Sequence, residues 1–176
     1  MHPGISAFRT SRQGNASIEF ALIVPIMILL AAGIVEFGLA YHVFNQTNRL
    51  ASLYASVWSD CQDATATACR TEMSTYAATP TMGNIAPQLT SANVALQMFQ
   101  VTMSGGNPTV VFAYPTGATP SADQITAVRA TVADGQAGVI VTVRYTHTFV
   151  FFPQVISDFF GGTVLQPNYT VTQLKT

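Results

Sequence analysis

Three histidines, eight acids and two cysteines are the residues of this 176-residue chain that could do chemistry. Their spacing argues against catalysis. His2 lies near the start, His42 in an apolar stretch of helical spacing and His147 in a strand-like run, where it reads as a half-exposed strand residue. None is accompanied by an acid and a Ser or Cys in a nucleophile motif. No H-E-x-x-H, phosphate-binding loop or dinucleotide glycine pattern occurs, and Gly105-Gly106 and Gly161-Gly162 read as turn glycines. Asp60, Asp63, Glu72, Asp123, Asp134 and Asp158 form no D-x-D set that would hold calcium. We therefore expect no catalytic residue, no metal site, no cofactor and no small-molecule substrate.

The two remaining acids sit where acids are costly. Glu19 opens a membrane-length apolar run, five residues after Gly14, and Glu36 lies near the end of that run. An ionisable group next to lipid must be paired or hydrated, so such a residue is a functional hypothesis by default. The two lie 17 positions apart in the sequence, or about 26 Å along a helix, near opposite faces of a bilayer. For Glu36 two readings stand: hydration at the far interface, or a second contact between helices. Cys61 and Cys69 are close in sequence and well beyond the apolar run. In an exported domain they read as a disulfide, in the cytosol as two free thiols. Zinc is not expected, because no C-x2-C spacing or nearby His accompanies them.

These residues need a membrane helix and a folded head to position them. Charged residues make up 9% of the chain, the net charge is -1 and the mean hydropathy is +0.34. One membrane span on an exported domain rich in Ser, Thr and Ala gives that average. The scattered basic residues form no stripe, so nucleic acid is not an expected partner. Residues 1–14 hold Arg9 and Arg12 and no acid, a basic flank that the positive-inside rule keeps cytoplasmic. From Ile18 to Phe44 the chain is long enough to span, with Pro25 inside and Gly33 and Gly38 as small positions. One helix is predicted over 15–59, transmembrane over about 18–41. Its second half is expected to carry Tyr41, Phe44, Asn48, Ala51, Ala55 and Trp58 near one inward stripe, with Thr47 elsewhere. An ordinary cleaved signal competes with this reading, but the run exceeds a usual apolar core of about 7–15 residues and Glu19 interrupts it.

The segment Gly14-Asn15-Ala16-Ser17-Ile18-Glu19-Phe20, with Ala21-Leu22-Ile23-Val24-Pro25 and Gly33-Ile34-Val35-Glu36-Phe37-Gly38, resembles the TadE-like pseudopilins or minor pilins of the tight-adherence (Tad/Flp) pilus system. The resemblance is strong over residues 12–42. It implies removal of leader 1–14 by a prepilin peptidase between Gly14 and Asn15, retention of the helix in the bacterial inner membrane, and no enzymatic activity. It also implies that Glu19 pairs with the free amine of Asn15 on a neighbouring subunit. Phe20, Pro25 and Glu36 fall in the same helix-pairing segment. The implied partners are the peptidase, other major or minor pilins and the membrane, and the implied role is in pilus biogenesis, priming or tip formation, and surface adherence. Asn15 departs from the Phe that other type IV pilins carry after the cleaved Gly. From a different class, a single-pass membrane-anchored periplasmic binding or sensory module fits the same composition.

Residues 60–176 are expected to form an α+β head, the long helix packing on a small, mainly antiparallel, pilin-like sheet. After the cysteines come a short helix near 70–77 and an irregular connection. Strands follow at 93–103 and 109–114 around a Gly105-Gly106 hairpin, then at 125–132, then a long one at 139–152. In the first strand Val94, Leu96 and Met98 give way to Phe99, Val101 and Met103, which reads as a bulge or as a strand apolar on both faces. Phe149 to Phe152 with Val155, Ile156, Phe159 and Phe160 reads as a short helix covering the sheet edge. The tail from Thr163 reads as an edge strand.

Overall fold

The computed structural model describes residues 12–61, 67–78, 85–151, 153, 157–158, 161–162 and 164–175. One helix, α1 (Arg12–Ser59), runs unbroken through Pro25. It is followed by α2 (Thr67–Ala78), the 3-10 turn Ser91–Asn93, β1 (Val94–Ser104), β2 (Asn107–Tyr114), α3 (Ala122–Thr131), β3 (Ala137–Tyr145), β4 (His147–Thr148), β5 (Val164–Leu165) and β6 (Asn168–Leu174). Four strands form an antiparallel sheet in the order β2-β1-β3-β6, and β4 pairs with β5. The α+β reading holds. The predicted edge strand of the tail is β6, paired along β3 from Gly138↔Leu174 to Arg144↔Asn168.

The helix enters the core only in its second half. Ala40, Val43, Thr47, Leu50, Ala51, Tyr54, Ala55 and Trp58 are buried. All of these but Ala40 and Thr47 share one core cluster with Leu96, Met98, Val139, Val141, Val143 and Tyr145, which alternate along β1 and β3 and share one sheet face. The inward stripe is thus rotated from the expected one: Tyr41 and Asn48 are exposed and Thr47 is buried. The reason is local. The Thr47 hydroxyl donates to the Val43 carbonyl at 2.7 Å, so the residue is buried with its polar group satisfied by the helix itself.

The opposite sheet face is covered by α3, which replaces the strand expected over 125–132. Ser121-Ala122-Asp123-Gln124 is a capping box, in which the Gln124 amide donates to the Ser121 hydroxyl and the Ser121 amide to the Gln124 side chain. That reciprocal cap starts a helix. Val128 and Val132, four apart, then bury on Phe99, Val101, Met103 and Ile140. Val132 lies so close to β3 that a Cβ on Gly138 would meet it at 2.6 Å. The phase change in β1 follows from these two covers: Leu96 and Met98 face α1, while Phe99, Val101 and Met103 face α3. β1 pairs with β3 without a break. The irregularity lies in the β1–β2 pairing, where Gln100↔Phe112 is followed by Val101↔Val110 and Val111 is the extra residue on β2.

The sheet has a defined end toward the first half of α1. Phe44 meets Tyr169 edge-on at 6.3 Å and Trp58 meets Phe112 at 5.3 Å, so the sheet end bearing Tyr145 lies low on α1 and the end bearing the Gly105-Gly106 hairpin lies high. The strand expected over 139–152 breaks after Tyr145. There the Tyr145 amide donates to Pro167 and the Thr146 amide to Asn93, and the chain leaves the main sheet for β4. Cys61 and Cys69 form the expected disulfide, with Cα atoms 6.4 Å apart, tying the top of α1 to α2. Closing that loop constrains the unfolded chain by roughly 2–3 kcal/mol in the entropy account. Of the apolar cluster after Phe151, residues 153, 157 and 158 are helical and Phe152, Val155, Ile156, Phe159 and Phe160 lie outside the described residues.

Ser121→Ala removes one half of the capping box and is expected to lower stability by about 1 kcal/mol, read as a lower denaturation midpoint. Alkaline pH tests a second feature. Burial, with a smaller contribution from Tyr114, pushes the Tyr54 phenol above its ordinary value of 10.0. The neutral phenol is favoured in the folded state, so its contribution is present below that pH and is lost as pH rises through the folded value. Between pH 10 and 12, the wild type is expected to lose stability faster than Tyr54→Phe in parallel denaturation series.

Candidate functional site: the exposed apolar segment and its two carboxylates

Over residues 18–35, about 27 Å of helix at ~1.5 Å per residue, α1 touches little of its own chain. Ile18, Phe20, Leu22, Ile23, Ile26, Met27, Ile28, Leu29, Leu30, Ile34 and Val35 are all at least 50% exposed. An amphipathic helix would hide one stripe, and this segment hides none. The length matches a hydrocarbon core of about 30 Å. The segment is a candidate membrane anchor, the one helix among the described residues long and apolar enough to cross. Gly33 and Gly38 meet no neighbour where a Cβ would be, so nothing within the chain demands glycine at either position.

Glu19 stands at the head of this segment. It is exposed, and no side-chain hydrogen bond or ion pair joins it to another described residue. The first helical residue is Arg12, so the helix begins three residues before the expected start at Asn15 and takes in the end of the basic flank. Residues 1–11 of that flank lie outside the described residues.

Glu36 closes the segment at the other end and is the first residue of α1 to be buried, at 2% exposure. It is not hydrated. Its Oε1 accepts from the Val150 amide at 2.9 Å and its Oε2 from the Phe151 amide at 3.0 Å. His147 Nε2 stands 3.7 Å from Oε1 and has no hydrogen-bond partner of its own; the pair becomes ionic when the ring is protonated. His147 is buried, stacked against Tyr145 at 6.4 Å and edge-on to Phe149 at 5.6 Å. The expectation of a half-exposed strand histidine is corrected here. The strand break at Thr146 turns the chain so that residues 147–151 meet the helix instead of extending the sheet.

Two successive amides donating to the two oxygens of one carboxylate form a small anion-binding turn, with helix and loop holding each other in register. Sequence reasoning found Glu36 but not its partners. They lie 114 and 115 positions away, and backbone amides carry no residue signature. Elsewhere, α3 and the uncovered part of the sheet bound a polar groove of about 450 Å³ lined by Gln97, Gln124, Thr142, Arg144 and Thr170 among others. Its Gln124, Thr142 and Thr170 side chains already satisfy one another. Among the described residues no three His, Cys, Asp or Glu side chains come together to hold a metal ion.

Glu36→Ala leaves two amides without their acceptor, and each hydrogen bond to a charged group stabilises by about 1.5–3 kcal/mol. The Val150 and Phe151 amides are expected to lose hydrogen-exchange protection in Glu36→Ala and to keep part of it in Glu36→Gln, which retains one carbonyl acceptor.

No curated protein and no solved structure matches the chain. The family described as TadE-like protein matches residues 14–53, from the proposed cleavage position through the exposed apolar segment and Glu36 into the packed half of α1. The match lies within α1 and leaves residues 54–176 outside it.

Proposed function

We propose that the protein is a minor pilin or pseudopilin of a Tad-type pilus, made as a precursor and held in the bacterial inner membrane by residues 18–35. The single observation that carries this reading is Glu19: an exposed carboxylate with no partner among the described residues, at the head of an apolar segment exposed on every side. The TadE-like match over the same residues supports it. In this reading the prepilin peptidase cuts between Gly14 and Asn15. The new amine then supplies the positive charge that Glu19 lacks. A carboxylate and an ammonium about 4 Å apart attract by about 4 kcal/mol at an effective dielectric near 20, before desolvation is subtracted. In lipid that attraction favours one register between neighbouring helices. Pairing therefore depends on processing.

Arg9 and Arg12 keep the leader in the cytoplasm and place the sheet domain in the periplasm, where Cys61 and Cys69 are oxidised. Phe20, Pro25, Gly33 and Gly38 lie in the segment that other pilin helices meet. The role is structural: priming, capping or building a filament that serves adherence.

N-terminal sequencing of the mature protein is expected to begin at Asn15. A start at Met1 would identify a plain membrane anchor, as for a binding or sensory module, and a start near Tyr41 an ordinary secreted domain. Glu19→Gln is expected to leave processing and folding intact while reducing pilus assembly. Wild-type piliation in that variant would remove Glu19 from the mechanism.

A further inference from the structure

Resting on the membrane-anchor reading, a second membrane contact follows from where Glu36 fixes the chain. Val150 is 67% exposed and Phe151 42% exposed, although their amides are bound to a buried carboxylate. The loop is thus held by its backbone and turns these two apolar side chains outward. Glu36 sits directly after the fully exposed segment, between Ile34 and Val35 on one side and Phe37 on the other, themselves 74%, 50% and 67% exposed. The two hydrogen bonds therefore fix Val150 and Phe151 at the depth on α1 where the apolar segment ends. No charged residue lies between His147 and Phe151, and the sheet end bearing Tyr145 faces the same way.

We propose that Val150 and Phe151 insert into the outer, periplasm-facing leaflet of the membrane, at the boundary of headgroups and acyl chains. The head then rests on the bilayer while the subunit awaits assembly. Apolar side chains on a backbone whose amides already donate to a carboxylate can enter that boundary without stranding those amides in hydrocarbon. The contact would also set the angle between α1 and the membrane, since the Glu36 clamp and the helix form one unit. A subunit leaving the bilayer for a filament must give up this contact.

The test uses the full chain in lipid vesicles, with a polarity-sensitive fluorophore on single added cysteines; the native pair is joined as a disulfide and does not react. Three positions are compared: Ile28→Cys in the apolar segment, Val150→Cys in the loop and Val110→Cys at the opposite end of the sheet. Ile28 should be quenched by lipids with spin labels deep in the acyl chain, Val150 by lipids labelled near the headgroup, and Val110 only by aqueous iodide. In Glu36→Ala, confirmed as folded by circular dichroism, the Val150 label should lose its shallow-lipid quenching while Ile28 keeps its own. If Ile28 is quenched by lipid but Val150 only by iodide, the loop stands in water and the inference fails. If Val150 is shielded from both quenchers, protein covers it and the inference fails as well. Failure at Ile28 would overturn the membrane-anchor reading itself.

Discussion

A carboxylate at the foot of a membrane-length helix has to be met by donors, and meeting it sets the geometry of this molecule. Glu36 lies at the transition between a segment that touches little of its own chain and one that lies in the core. Its two acceptors are filled by the Val150 and Phe151 amides, which requires the chain to leave the sheet after Tyr145 and return to the helix. The break at Thr146 and the burial of His147 accompany that return. Without the clamp, α1 would still pack on β3 and β6. Among the described residues, the loop would then keep the β4–β5 pairing and the ring contacts of His147 but lose its bond to the helix.

The core above the clamp is a sandwich of unequal covers. The second half of α1 fills one face along its length, while α3, one short helix started by the Ser121 capping box, fills only the far part of the other. The uncovered near part of that face is polar, with Gln97, Thr142 and Thr170 in place of the apolar residues that would need a cover. Apolar pattern and cover thus agree position by position. That agreement explains why β1 changes phase without a break in its pairing to β3.

What the sequence made legible follows the range of the interactions. The apolar run, the Gly105-Gly106 hairpin and the cysteine pair are local signals and fold as read. The strand expected over 125–132 fails because β-branched Ile125, Val128 and Val132 suit a strand by type alone, whereas their spacing of three and four and the pairing of Ser121 with Gln124 just upstream specify a helix. The inward stripe of α1 was misplaced because Thr47 was sorted by polarity, although its hydroxyl is satisfied within the helix. The clamp was invisible for a different reason. Its donors are backbone groups more than a hundred residues away, and amide donors are available at every position but proline.

The two carboxylates of α1 divide along the same line. Glu36 is completed from within the chain, so its role is fixed once the domain folds. Glu19 has no side-chain partner among the described residues, so its role turns on a partner beyond them. On the proposed reading that partner is an amine created by cleavage at Gly14. In the cleaved helix, Asn15 and Glu19 are four residues apart and lie on one face about one turn from each other. The subunit's own amine is therefore a neighbour of Glu19 as well. Cleavage would thus first lower the cost of keeping Glu19 near lipid in the lone subunit. A second subunit must then compete with that internal partner, and it wins only when its helix packs along the exposed segment closely enough to add van der Waals contact to the exchange of charge. Register between subunits on this account comes from the carboxylate, and affinity from the apolar surface around it.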